Sequence, residues 1–318
     1  MKEKITIVIP CYNQTKLLKR NLGYLEKQSD QDFDIVILDD NSSEDYQKVI
    51  AEFPNLKISY VRNEVNAGAI QNIFNSILYK TKSPFILSLH EDDVLHPDYL
   101  KKAKDLLEHN EHLTFVCTLA HWFKTDAELE KAFAHAKNLT NLRMMGKDNF
   151  IRQIIDGTHV TFGSIIYRTK VLTEKPDFIT FDVFCDRPFL ISLLKEKSEV
   201  GLIADKAIFV RDHGESDNRF STITEAHALN LMSFYKNNLP QPLSASDTKK
   251  IQTFATNNLL GAYAGLKNKK MTFREFIAEG KKLGLINFKY INRIGAASLF
   301  KLVFGEKAFN KVIKIIKK

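Results

Sequence analysis

Short runs of β-branched and apolar residues alternate with longer segments of helical periodicity over the first 120 residues, and no other feature constrains the fold as strongly. The runs fall at 4–9, 33–39, 56–61, 84–89 and 113–119. Between them Leu17, Leu18, Leu22 and Leu25 recur at helical spacing, as do Ile70, Ile73, Phe74, Ile77 and Leu78. This alternation predicts an α/β domain: a mostly parallel sheet flanked by crossover helices. A helix near 147–155, a strand around 161–167, a helix around 186–196 and a strand around 200–210 would complete a first domain over residues 1–221. From 222 to 318 the pattern is helical, broken at Pro240 and Pro242 and then jointed at Gly280, Gly284, Gly295 and Gly305.

Composition narrows the partners. With 44% hydrophobic and 26% charged residues the 318-residue chain can bury a large core. The net charge of +8 is uneven: residues 267–318 hold 14 Lys or Arg against 3 Asp or Glu, so the remainder is mildly acidic. Lysine dominates and no nucleic-acid motif is present, which argues against a nucleic-acid partner. Phe300–Lys318 reads as a basic amphipathic tail able to meet an anionic membrane surface. Cys11, Cys117 and Cys185 are odd in number and lack metal spacing, which fits a reducing compartment. No apolar run reaches the roughly 18 residues of a bilayer span, and the N-terminal segment reads as a strand rather than a signal peptide. The expectation is a cytoplasmic protein, peripheral at most on the inner face of the membrane.

In open parallel sheets ligands bind beyond the carboxyl ends of the strands. Three segments lie there: Pro10-Cys11-Tyr12-Asn13, Asp39-Asp40-Asn41-Ser42-Ser43 and His90-Glu91-Asp92-Asp93. Adjacent carboxylates after a buried strand offer hard oxygen ligands for Mg²⁺ or Mn²⁺. Four carboxylates gathered at one edge would need a cation or cationic substrate groups to neutralise them. Neither G-x-G-x-x-G nor G-x-x-x-x-G-K is present, which disfavours a Rossmann dehydrogenase or a P-loop enzyme.

Together these segments resemble the family 2 glycosyltransferases, nucleotide-sugar enzymes of the GT-A fold, over roughly residues 4–215. The opening strand through Pro10, Tyr12 and Asn13, the Asp39-Asp40-Asn41-Ser42-Ser43 motif, and Asn66-Ala67-Gly68 followed by Asn72 resemble that family's nucleotide site. The resemblance implies that Asp40 holds the base, that Asp92 meets the ribose or sugar, and that Asp93 binds the metal. It carries Thr161–Ser164 with Tyr167-Arg168 over to the acceptor-side strand and Asp186 to the catalytic base. Arg211 and His213 match a segment that approaches the diphosphate or metal. Two departures stand out: His90 occupies a position where the family often has Asp, and Cys185 one where it commonly has Glu. The implied activity is inverting, metal-dependent transfer of a sugar, from a UDP-linked donor, to a hydroxyl of a glycan or lipid-linked acceptor in bacterial surface polysaccharide synthesis. A catalytically silent nucleotide-sugar binding module, partnering another transferase, is the alternative.

Overall fold

A computed structural model describes residues 4–158, 160–173, 178–181, 184–212, 223–266 and 269–305. Its chain forms two compact units. The first takes the described residues within 1–147, 159–175 and 193–215; the second takes those within 148–158, 176–192 and 216–318.

The first unit begins with β1 (Ile5–Cys11), α1 (Thr15–Leu25), β2 (Phe33–Asp39), α2 (Tyr46–Ile50), β3 (Ile58–Arg62), α3 (Ala69–Ile77) and β4 (Phe85–Ser88). It continues through β5 (Val94–Leu95), α4 (Tyr99–His109), β6 (Leu113–Phe123), α5 (Asp126–Ala134) and β7 (Leu142–Gly146). The chain then enters α6 (Lys147–Ile155), and the first unit resumes with β8 (Ile166–Arg168) and β9 (Glu199–Arg211). All nine strands join one sheet in the order β3-β2-β1-β4-β8-β6-β9-β5, with β7 also on β9. The half from β3 to β4 is parallel, as is the β6–β9 pair, whereas β8, β5 and β7 run antiparallel to their neighbours.

Ile7, Ile9, Ile35, Ile37 and Leu87 are almost wholly buried because helices cover the sheet, which is why these strands read as continuous apolar runs. On α1 the buried Leu18, Leu22 and Leu25 follow helical spacing, and each such leucine contributes about 2 kcal/mol through burial. Tyr99, Leu100, Ala103 and Leu107 on α4 fill the same core.

Two short strands escaped the sequence pattern. Val94–Leu95 is too short to show alternation, and Leu142–Gly146 is mostly exposed, so neither carries an apolar signature. Residues 162–164 form a 3-10 turn where a strand was expected, and β8 begins only at Ile166.

The second unit holds the rest of α6, α7 (Phe178–Phe181), α8 (Asp186–Ser192), α9 (Glu225–Asn238), α10 (Ala245–Gly265), α11 (Phe273–Lys282) and α12 (Arg293–Phe304). Arg152 of α6 forks onto Asp247 of α10 at 2.9 and 3.0 Å. Two of the four glycines expected as joints are packing positions instead. A Cβ on Gly280, inside α11, would lie 2.4 Å from Ile286, and one on Gly295, inside α12, 2.1 Å from Asn257 Oδ1. Gly284 and Gly305, by contrast, adopt φ of 68° and 80° beyond helix ends, where glycine avoids the left-handed penalty. The tail beyond Gly305 lies outside the described residues. Among the described residues no helix is long and apolar enough to cross a membrane.

Candidate active site

Parallel pairing of β1 with both β2 and β4 brings three strand ends to one edge. Cys11 registers with Asp39, Val8 registers with Ser88, and the chain leaves each strand into the segment that sequence singles out. The loops are laced together there. Asn13, with φ of 53°, receives hydrogen bonds on Oδ1 from the Ser43 N–H at 2.8 Å and the Ser43 hydroxyl at 3.0 Å, while its own N–H donates to Ser42 Oγ. Half-buried Pro10 ends the run below, and the Tyr12 ring stands 47% exposed, able to stack on a planar group.

Asp40 is buried and fastens the next loop. Its Oδ1 accepts from Asn63 Nδ2 at 2.7 Å and the Ala67 N–H at 2.8 Å, and its Oδ2 from the Gly68 N–H at 2.9 Å. Asn66 Nδ2 donates to the Asp40 carbonyl, and Asn72 reaches the Leu38 carbonyl from α3. Gly68 supplies the φ of 86° that lets two successive N–H groups converge on one carboxylate.

Asp39 does not add free charge to this edge. Completely buried, it accepts from the Tyr60 hydroxyl at 2.6 Å, Arg62 Nη1 at 3.2 Å and the Ser42 N–H at 3.0 Å. The expected cluster of four uncompensated carboxylates is therefore corrected: Arg62 neutralises Asp39, and hydrogen bonds from the protein satisfy Asp40.

The turn after β4 differs. Ligand atoms of His90, Asp92 and Asp93 all lie within 4.8 Å of one another, the one such group of three among the described residues. Burial, and then the charge of Asp92, push the Asp93 carboxyl well above the usual carboxylate range, against the opposing pull of the Arg211 N–H and the Arg20 guanidinium. A divalent cation would relieve that penalty, so the donor set fits one. Gly163 from the 3-10 turn presses on the group: a Cβ there would meet Asp93 Oδ2 and the His90 ring at 3.2 Å.

Three supports of this turn had no role assigned from the sequence: Asn21 and Arg20, which it did not single out, and Glu91 within the acidic segment itself. Asn21 Nδ2 donates to the carbonyls of Asp93 at 2.7 Å and His90 at 3.0 Å. Its neighbour Arg20 donates to the Asp92 carbonyl at 2.6 Å and to Asp126 at 2.8 Å. Glu91 accepts from the Tyr12 N–H at 3.2 Å and the Tyr46 hydroxyl at 2.9 Å, tying the β4 turn to the first loop and to α2. Burial pushes its carboxyl up to about 7. A signal for Asn21 existed: it shares the buried face of α1 with Leu18, Leu22 and Leu25, where a polar residue needs a partner.

The remaining expected residues divide. Arg211 ends β9 and its N–H reaches the Asp93 carboxylate, while its side chain lines a groove of about 660 Å³ shared with Lys16, Arg20 and Asp126. Arg168 sits at the amino end of β4, paired with Phe85, where it donates to the carbonyls of Leu113 and Asn110. That is the opposite edge from His90–Asp93, so Arg168 braces the sheet rather than facing an acceptor. Asp186 belongs to the second unit, where it opens α8 near Tyr235. His213 lies outside the described residues.

An α/β sheet with interlocked loops after β1 and β2 and an acidic turn after β4 is the arrangement of the GT-A glycosyltransferase fold. The chain belongs to glycosyl transferase family 2, whose family model matches residues 6–174. An uncharacterized glycosyltransferase of Haemophilus influenzae is 28% identical over 112 residues, 35% of this chain and 37% of that protein. The poly(ribitol-phosphate) beta-N-acetylglucosaminyltransferase TarS of Staphylococcus aureus is 22% identical over 227 residues, 69% of this chain and again 37% of the relative. The matched stretches thus span well under half of either relative. Among solved structures, TarS 1-349 in complex with UDP superposes with a TM-score of 0.60 at 16% identity, covering 98% of this chain and 91% of that one. The mannosyltransferase PcManGT of Pyrobaculum calidifontis, in complex with GDP-Man and Mn²⁺, gives 0.52 at 13% identity over 96% and 88%.

Proposed function

We propose that this glycosyltransferase moves a sugar, with inversion, from a UDP-linked donor to a hydroxyl of a glycan or lipid-linked acceptor in bacterial surface polysaccharide synthesis. The carrying observation is the His90, Asp92 and Asp93 group at the end of β4 in a family 2 chain. The UDP and poly(ribitol-phosphate) named for TarS support the choice of donor and acceptor class.

In this reading Pro10, Asn13, Asp40, Asn66, Gly68 and Asn72 hold the base and its ribose, Tyr12 offers its exposed ring, and Asp92 meets the ribose or sugar. Asp93, with His90 and His213, would hold Mn²⁺ or Mg²⁺, whose charge when bound offsets that of the departing diphosphate. Arg211 adds a cation for the same phosphates. Asp186 takes the proton from the acceptor hydroxyl, whose oxygen then attacks the anomeric carbon from the face opposite the nucleotide. The departing nucleoside diphosphate leaves with the bonding electron pair, inverting the configuration.

Titration calorimetry of UDP with and without Mn²⁺, coupled to a sugar-release assay, tests the proposal. Asp186→Asn is expected to keep nucleotide affinity and to cut turnover on the order of a hundredfold or more. Undiminished turnover would move the base elsewhere. Metal-dependent binding by the parent chain without release of any sugar, across a panel of nucleotide sugars, would favour the silent binding module.

A further inference from the structure

The second unit carries a cleft between α10 and α12 of about 940 Å³. Lys269, Arg293 and Lys301 line it, and among the described residues no carboxylate does. Lys269 is held at the rim: its ammonium donates to the Leu266 carbonyl at 2.9 Å and lies 5.2 Å from the centre of the Tyr263 ring. Residues 280–305 contain five Lys or Arg and no Asp or Glu, and of these Lys282 pairs with Glu279 at 3.5 Å. The same helix exposes large apolar side chains: Ile294 is 69% exposed, Val303 63% and Phe304 63%. Around the helix Arg293, Phe304, Lys301 and Ile294 fall within an arc of about 100°, so two exposed apolar residues share the cationic side, whereas Val303 lies about 180° from Ile294.

We propose that this side of α12, with the cleft it lines, is a docking surface for an anionic phospholipid bilayer. Lipid phosphates meet Lys269, Arg293 and Lys301, while Ile294 and Phe304 enter the boundary between headgroups and acyl chains. Charge alone would also suit a soluble polyanion. The uncovered apolar side chains decide for lipid, because burying them gains free energy only where an apolar phase lies next to the charge. The surface shares no residue with the proposed nucleotide site and does not depend on that reading.

Co-sedimentation of the full chain with phosphatidylcholine vesicles, with and without phosphatidylglycerol, tests the proposal. Pelleting is expected only with the anionic lipid. A charge variant, Lys269→Glu with Arg293→Glu, should lower the partition coefficient at least tenfold, since each near-surface cation is worth about fivefold. An apolar variant, Ile294→Ser with Phe304→Ser, should weaken binding severalfold and most clearly in high salt, where the charge contribution is screened. Both keep every lysine after residue 305, so a loss belongs to this surface, and unchanged melting temperatures would show that folding is intact. Failure of the parent chain to pellet, or parental binding by both folded variants, overturns the proposal. So does binding of soluble polyphosphate without binding of vesicles.

Discussion

Two acidic pairs follow buried strands in the first unit, and the protein treats them oppositely. After β2, Asp39 is neutralised by Arg62 and hydrogen-bonded by Tyr60, and Asp40 accepts from Asn63 and two backbone N–H groups. After β4, Asp92 raises the already penalised carboxyl of Asp93, and His90 stands in the same group. A pair whose charge the fold satisfies acts as a fastening. A pair whose charge the fold leaves costly is a place for a cation from outside. Sequence alone makes the two motifs look equivalent; their hydrogen-bond partners separate them.

The largest effect expected from this contrast is on stability. Asp39→Ala leaves the Tyr60 hydroxyl and the Ser42 N–H without their acceptor, at about 1–3 kcal/mol for each orphaned donor, while Arg62 is exposed and keeps its bond to Asn41. Urea melts should show it, without any dependence on Mn²⁺. Asp93→Ala should do the reverse. With the desolvation penalty gone, the variant should melt no lower than the parent, while UDP affinity in the presence of Mn²⁺ falls between about tenfold and a hundredfold. If Asp93→Ala melted as low as Asp39→Ala, the contrast between the pairs would be false.

Asn21→Leu sharpens the comparison from the side of the scaffold. Asn21 holds the carbonyls of His90 and Asp93, and leucine leaves both without that donor in a buried place, at about 1–3 kcal/mol. Because both carbonyls belong to the acidic turn, nucleotide affinity with Mn²⁺ should weaken about tenfold more than affinity without it. Equal weakening in the two conditions would make Asn21 a general core residue rather than a brace of this turn.

Much of the fold was legible because parallel strands buried on both faces leave unmistakable apolar runs, and β1, β2, β4, β6 and β9 all begin within a residue or so of their expected starts. β5 and β7 were invisible because one has two residues and the other is largely exposed. The candidate site was legible as a set of strand ends but not as a charge balance. Arg62, Asn63 and the N–H groups of Ala67 and Gly68 come from elements that only tertiary structure brings to Asp39 and Asp40. Gly280 and Gly295 teach the same lesson: a glycine in sequence reads as a joint, yet here it is the contact with Ile286 or Asn257 that requires it.

The smallest expected effect concerns Glu91, which lies inside the acidic turn yet behaves as a fastening to Tyr12 and Tyr46. Its carboxyl is pushed up to about 7, chiefly by burial, so the folded chain takes up a proton that the unfolded chain releases near the ordinary carboxylate value. A group raised in the folded state stabilises fully below its unfolded value, and that contribution fades as pH rises through the folded one. In metal-free buffer the parent should therefore lose on the order of 1 kcal/mol between about pH 5 and pH 7 relative to Glu91→Gln, whose amide cannot ionise. Parallel stability curves for the two chains would mean that Glu91 stays ionised in the fold, and the β4 turn would then bury one more charge for a cation to balance.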